Sequence, residues 1–87
     1  MKTKYAFEIM ELDDGIVAVP VGEGAESFRG LLKLNETGLK ILKLLESDST
    51  EEMIVDELIK EYSGDISKIK EYTHAYIEQL ISEGVIK

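Results

Sequence analysis

The chain opens in alternating hydrophobicity and switches to helical spacing about two-fifths of the way along. In "KYAFEIMEL" (4–12), Tyr5, Phe7 and Ile9 fall on one side of an extended strand, with Ala6, Glu8 and Met10 on the other. "DDG" at 13–15 is a turn signal, because Gly15 can take a positive φ without steric penalty. "IVAVPV" at 16–21 is β-branched and apolar on both faces. Its Pro20 cannot donate to a ladder, so it is expected near the strand's end or at an unpaired edge position. "GEGAES" at 22–27 reads as a flexible loop. "FRGLLKL" at 28–34 alternates again, with Phe28, Gly30, Leu32 and Leu34 facing one way and Arg29, Leu31 and Lys33 the other. Short connections make the three strands an antiparallel meander.

The period then changes. Asn35 is a good N-cap, since its side-chain oxygen can accept from the free amides of a first turn. Glu36 follows where the helix dipole favours negative charge. Leu34 and Leu39 hold the two positions of a hydrophobic staple, and Leu39, Ile41, Leu42 and Leu45 form the buried stripe of a helix ending near Glu46. A second helix is expected at about 50–62, with Ser49 and Glu52 at capping-box spacing and Ile54, Val55, Leu58, Ile59 and Tyr62 buried. "SGD" at 63–65 ends it. The third helix spans about 66–83 and turns Ile66, Ile69, Thr73, Tyr76, Ile77 and Leu80 to the core. Gly84 stands where a left-handed C-cap belongs, and Val85 packs back on the last turn. The order β-β-β-α-α-α predicts an α+β fold: a three-stranded antiparallel β-sheet followed by three α-helices, winged helix-turn-helix-like. At 87 residues this is expected to be a single domain, with the sheet at 4–34 and the helices at 35–87.

Composition narrows the chemistry. There is no cysteine, which excludes disulfides, thiolate metal sites and thiol nucleophiles. Ten Lys and Arg against eighteen Asp and Glu give a net charge of −8, a surface that repels phosphate backbones and acidic membranes. Seven of the carboxylates fall in "ESDSTEEMIVDELIKE", which reads as a solvated helix face. A third helix meant for the major groove should carry arginine or lysine, yet this one offers only Lys68 and Lys70 against Asp65, Glu71, Glu78 and Glu83. No nucleic-acid partner and no membrane partner are therefore expected. Neither a signal peptide nor an apolar run long enough to cross a bilayer is visible, so a cytoplasmic location is expected. His74, the one histidine, computes to the outer side of the third helix and reads as a surface residue. No metal, cofactor or catalytic set can be assembled.

Two features exceed the needs of a core. The strand at 28–34 turns Arg29, Leu31 and Lys33 outward, and Tyr72 and Tyr76 lie one turn apart on the flank of the third helix. One reading makes the tyrosines core edges with solvated hydroxyls. The other makes them an aromatic wall beside an unpaired strand edge, able to accept an extended peptide.

The succession "FRGLLKLNETGLKILKLL", then "STEEMIVDELIKEY", then "YIEQLISEGVIK" resembles the PqqD family, the small domains also called RiPP recognition elements, from about Tyr5 to Lys87. The resemblance implies a non-catalytic peptide chaperone. It would bind the leader of a ribosomally made precursor peptide and deliver it to a modifying enzyme, often a radical S-adenosylmethionine enzyme. It also implies where the leader lies: added as a strand against Phe28, Arg29, Gly30, Leu31, Leu32, Lys33 and Leu34, in a groove whose helix wall includes Ile69, Tyr72, Thr73 and Tyr76. "VGEGAES" is longer than expected in members that serve pyrroloquinoline quinone synthesis, so the precursor stays unidentified. The other readings of the residues are a winged-helix transcription regulator and an interaction or dimerisation module, since a free strand edge also permits a homodimer.

Overall fold

The structure is a computed structural model and describes residues 1–28 and 30–86. Its elements are β1 (Ala6–Leu12), β2 (Gly15–Val21), β3 (Leu32–Leu34), α1 (Glu36–Leu44), α2 (Glu51–Glu61) and α3 (Ile66–Ser82), with a 3-10 turn at Ala25–Ser27. The α+β order expected from the alternation is the observed one. The sheet runs β1-β2-β3, both pairings antiparallel. Asp13 and Asp14 form the two-residue turn between β1 and β2, and Leu12 pairs with Gly15, whose φ is 147°.

One sheet face packs on the helices. Ala18, Leu32 and Leu34 are buried there against Ile41, Leu45, Ile54, Leu58, Ile77 and Leu80. The other face is apolar too, as the both-faces pattern of β2 implies: Val17 is buried between its cross-strand partners Met10 and Lys33. Backbone hydrogen bonds from Thr3 to Leu45 and from Lys4 to Val85 tie the N-terminal segment across the helical layer. At the far end Gly84, at φ 78°, returns the chain so that Val85 N–H reaches the Leu80 carbonyl at 2.9 Å and the Val85 side chain is fully buried. No helix among the described residues is long and apolar enough to cross a membrane.

Three local expectations are corrected. The third strand pairs over Leu32–Leu34 only, not from Phe28. Its register sets Ala18 opposite Leu32, so continued pairing would bring Gly30 to Pro20, which has no N–H to give; Gly30 instead takes φ 99° and bends the chain away. The cap of α2 is Thr50, whose Oγ1 accepts from Met53 N–H at 3.1 Å, while the Ser49 hydroxyl is buried and donates to the Leu44 carbonyl at 2.9 Å. Ile66, expected in the core, is 49% exposed, because it opens the first turn of α3 beyond the end of α2.

Candidate functional site

β3 is the last strand of the sheet, and its outer edge has no strand partner among the described residues. An edge strand of this kind presents unpaired N–H and C=O groups to solvent. Three features hold it in place. Leu32 and Leu34 are buried beneath it, while Leu31 (48% exposed) and Lys33 point out. At its end the chain turns directly into α1, with Asn35 Oδ1 accepting from Gly38 N–H at 2.7 Å. At its start the Phe28 ring packs against Tyr5 and Phe7, at centroid distances of 5.7 and 6.3 Å.

Opposite this edge stands α3. Tyr72 and Tyr76 stack with their rings 6.1 Å apart and 7° from parallel. The Asn35 amide donates through Nδ2 to the Tyr72 hydroxyl at 3.2 Å, so the residue that caps α1 also fastens the aromatic wall to the end of β3. The Tyr76 hydroxyl lies over Gly38: a Cβ built there would stand 2.9 Å from that oxygen and 3.2 Å from Asn35 Oδ1. Glycine at this buried helical position makes room for the tyrosine. Burial pushes the Tyr76 phenol up to about 12, with smaller contributions from Tyr72 and Glu83, so it is a neutral hydrogen-bonding group at ordinary pH.

Between strand and helix runs a groove made of two adjoining depressions. One, of about 280 Å³, is lined by Leu31, Leu32 and Lys33 on the strand and by Tyr76, Gln79, Leu80 and Glu83 on α3. The next, of about 300 Å³, shares Lys33, Tyr76 and Gln79 with it and adds Asn35, Tyr72 and Ala75. The arrangement combines free backbone groups, an aromatic wall and a primary amide at the rim, with no nucleophile and base in contact. Such an arrangement has the parts that strand addition of an extended chain requires.

The residues named from sequence divide accordingly. Leu31, Leu32, Lys33, Tyr72 and Tyr76 meet at the groove. Leu34 lies at its end with its side chain in the core. Phe28 and Gly30 precede the strand, and Arg29 lies outside the described residues. Thr73 does not reach the groove: it is fully buried toward the core, and its Oγ1 has no hydrogen-bond partner among the described residues. Ile69 is half-buried and lines a different depression, with Leu58 and Tyr62. Ala75, Gln79 and Glu83 were not anticipated. They sit three, seven and eleven positions after Tyr72, the spacing of one helix flank, so extending the stripe from Tyr72 rather than from the core would have found them. His74 is exposed as expected, but is held by Glu51 at the start of α2 (Nδ1 to Oε1 3.0 Å), on the side of α3 turned to α2.

A three-stranded sheet with three helices, its last strand an open edge along an aromatic groove, defines the class of protein. Residues 20–86 match the family described as coenzyme PQQ synthesis protein D (PqqD). That is well over half of the chain, and the chain belongs to the PqqD family. The solved structure of TbiB1 in complex with the TbiA(β) leader peptide is similar, with a TM-score of 0.73 and 25% sequence identity over 100% of this chain and 95% of that one. No curated protein matches the chain.

Proposed function

We propose that this chain is a non-catalytic adaptor that binds the leader of a ribosomally synthesised precursor peptide and presents it to a modifying enzyme, radical S-adenosylmethionine enzymes being one such class. The leader adds as a fourth strand to the outer edge of β3 and lies against Tyr72 and Tyr76. The observation that carries this reading is the open edge of β3 facing the groove of α3. A fold shared over its full length with a protein solved in complex with a leader peptide supports it. So does family membership.

The backbone of β3 supplies affinity with little regard for sequence, and the groove selects side chains. Phe28, Arg29 and Gly30 would join the contact only if the leader runs on past Leu31. An acidic chain with few cations along its third helix does not suit a duplex DNA partner, which weighs against a transcription regulator.

The test is a titration of isotope-labelled chain with synthetic leader peptides taken from short reading frames neighbouring its gene. Backbone amide shifts are expected at Leu32–Leu34, with ring shifts at Tyr72 and Tyr76 and none along Ala6–Leu12. Silence at 32–34 with saturating leader would sink strand addition. Because β3 could also pair with a second copy of this chain, mass in solution is to be measured with and without leader. A dimer that dissociates as the leader binds would place both partners on one edge.

A further inference from the structure

The opposite edge of the sheet is built differently. β1 presents seven residues, Ala6–Leu12, with no strand on its outer side among the described residues. Edge strands are commonly kept from pairing by lysine, proline, a bulge or shortness. β1 has none of these: "AFEIMEL" holds neither Lys nor Pro, and its register with β2 runs unbroken from Ala6 opposite Val21 to Leu12 opposite Gly15. The strand is also firmly held. Phe7 and Ile9 pack against the core, and the Phe7 ring meets those of Tyr5 and Phe28 edge to face, each at 6.3 Å.

Charge is sorted along this edge. Lys2 and Lys4 precede the strand, and Lys43 of α1 joins them around a hollow of about 360 Å³ whose apolar lining includes Phe7, Ile9 and Leu42. None of the three lysines forms a salt bridge among the described residues, and Glu46 is the one carboxylate that lines the hollow. The carboxylates of the edge itself come later, at Glu8, Glu11, Asp13 and Asp14. A strand that is positive at its start and negative toward its end is complementary to an antiparallel copy of itself, because a two-fold axis sets each end against the other.

We propose that the β1 edge pairs with the β1 edge of a second copy of this chain, antiparallel and two-fold symmetric, joining two sheets into one of six strands. The charges choose the register. An axis at Glu8 would oppose that carboxylate to its own copy, whereas an axis at Ile9 sets Glu8 against Met10, Ala6 against Leu12 and Phe7 against Glu11. Phe7, Ile9 and Glu11 alternate onto the helix-side face, so the second copy's Glu11 arrives at the mouth of the hollow that Lys43 rims. The β3 edge suits a second copy less well, since pairing centred on Leu32–Leu34 would oppose Lys33 to Lys33. The pairing itself does not depend on the leader reading, but its consequence for binding rests on it: the two β3 edges stand at opposite ends of the joined sheet, so one dimer holds two leaders without competition.

Sedimentation of the intact chain from micromolar to millimolar concentration is expected to show monomer passing to dimer and nothing larger, because a two-fold contact closes on itself. Amides along Ala6–Leu12 should shift with concentration while those of Leu32–Leu34 stay still. Glu11→Lys turns a lysine toward the second copy's Lys43 and should weaken the dimer about tenfold, each change being counted twice across the axis. Lys43→Glu should do likewise, and the double variant should restore the dimer, a rescue that a merely structural role for either residue would not give. Both side chains are exposed, so all three variants should melt close to the parent. A chain that stays monomeric at millimolar concentration overturns the proposal. So does a dimer that withstands Glu11→Lys, or one whose shifts fall on Leu32–Leu34 and which the synthetic leaders dissolve. A dimer with shifts along Ala6–Leu12 that binds none of those leaders would keep the pairing and count against the adaptor reading alone.

Discussion

Among the described residues the sheet has two free edges, and they differ in what stands beside them. β1 is seven residues long and paired along its whole length with β2. Its flank opens on a depression of about 360 Å³ whose rim carries Lys2, Lys4 and Lys43. β3 is paired over three residues only, yet it faces a groove whose aromatic wall is fastened to the strand's own end by Asn35. Length of free backbone therefore does not single out the leader's edge. What does is a rigid neighbour that lets a docked chain bury side chains as well as pair its backbone, since isolated pairing in water contributes little net stability. The larger depression lies beside β1 and is lined mostly by residues before the stretch 20–86 that matches the family, and its aromatic pair, Tyr5 and Phe7, meets edge to face rather than stacked.

The comparison breaks most readily at Tyr76. Truncation in Tyr76→Ala removes a half-buried ring from core and groove together and should cost about 2 kcal/mol in stability. Leader affinity should fall at least about tenfold, the behaviour of an aromatic hot spot. Tyr76→Phe keeps the ring and should bind within about twofold, separating shape from the hydroxyl. Met10→Lys, on the exposed face of β1, should change stability by less than about 0.5 kcal/mol and leave binding unaltered. Denaturant melts and leader titrations of the three variants read this directly. An equal loss of affinity in Met10→Lys would mean that the β1 side takes part.

Asn35 is next in size. Asn35→Ala loses the cap on Gly38 N–H, about 1 kcal/mol, and also the bond that holds Tyr72. Asn35→Asp keeps the acceptor and removes the Nδ2 donor. Its carboxylate can still accept from the Tyr72 hydroxyl, which lies 3.4 Å from Asn35 Oδ1, so stability and the Tyr72 link should both survive in Asn35→Asp. Asn35→Ala, by contrast, should free the Tyr72 ring, visible in its ring-proton line shapes and in severalfold weaker leader binding.

These residues show how far the sequence carried the fold and where it stopped. Caps, stripes and turns are local, so Asn35, the α1 stripe and the Gly84 return were legible from spacing. The extent of β3 was not, because it depends on which residue Pro20 faces, and that is fixed only once the register across two strands is known. Ser49 and Thr50 both offer a hydroxyl near the start of α2. Choosing between them needs the burial that α1 imposes on Ser49. The flank of α3 that lines the groove was likewise undetermined: helical period separates core from solvent, but it does not say which side of the stripe borders β3. Thr73 was placed on the groove for that reason, whereas the wall continues from Tyr72 and Tyr76 through Gln79 to Glu83, and Ile69 borders the adjoining depression that shares Tyr72.

Gly38 should separate stability from binding more cleanly than either residue above. Gly38→Ala gains up to about 1 kcal/mol of helix propensity and loses room, since the new methyl would crowd the Tyr76 hydroxyl and Asn35 Oδ1. The two effects oppose, so the melting transition should move little while the Tyr76 ring is displaced toward the groove. Leader affinity should drop severalfold at nearly unchanged stability. A variant that binds normally would show that the ring can shift without narrowing the groove.

The smallest effect tests the other side of the same helix. His74 is exposed and hydrogen-bonded to Glu51, and that bond, with the charges of Glu51 and Glu78, raises its pKa above the usual 6.5. A raised folded-state value means that the protonated imidazole favours the fold. The contribution is fully present below pH 6.5 and is lost as pH climbs through the folded value. Stability should decline slightly across that window, and Glu51→Gln should flatten the slope and return the ring titration toward 6.5. The groove lies on the flank of α3 that faces β3, while His74 looks toward α2. Leader binding should therefore stay level through the same window. If affinity instead followed the His74 titration, the link between α2 and α3 would be setting the position of the aromatic wall, and the β3 edge would owe its rigidity to that link as well as to Asn35.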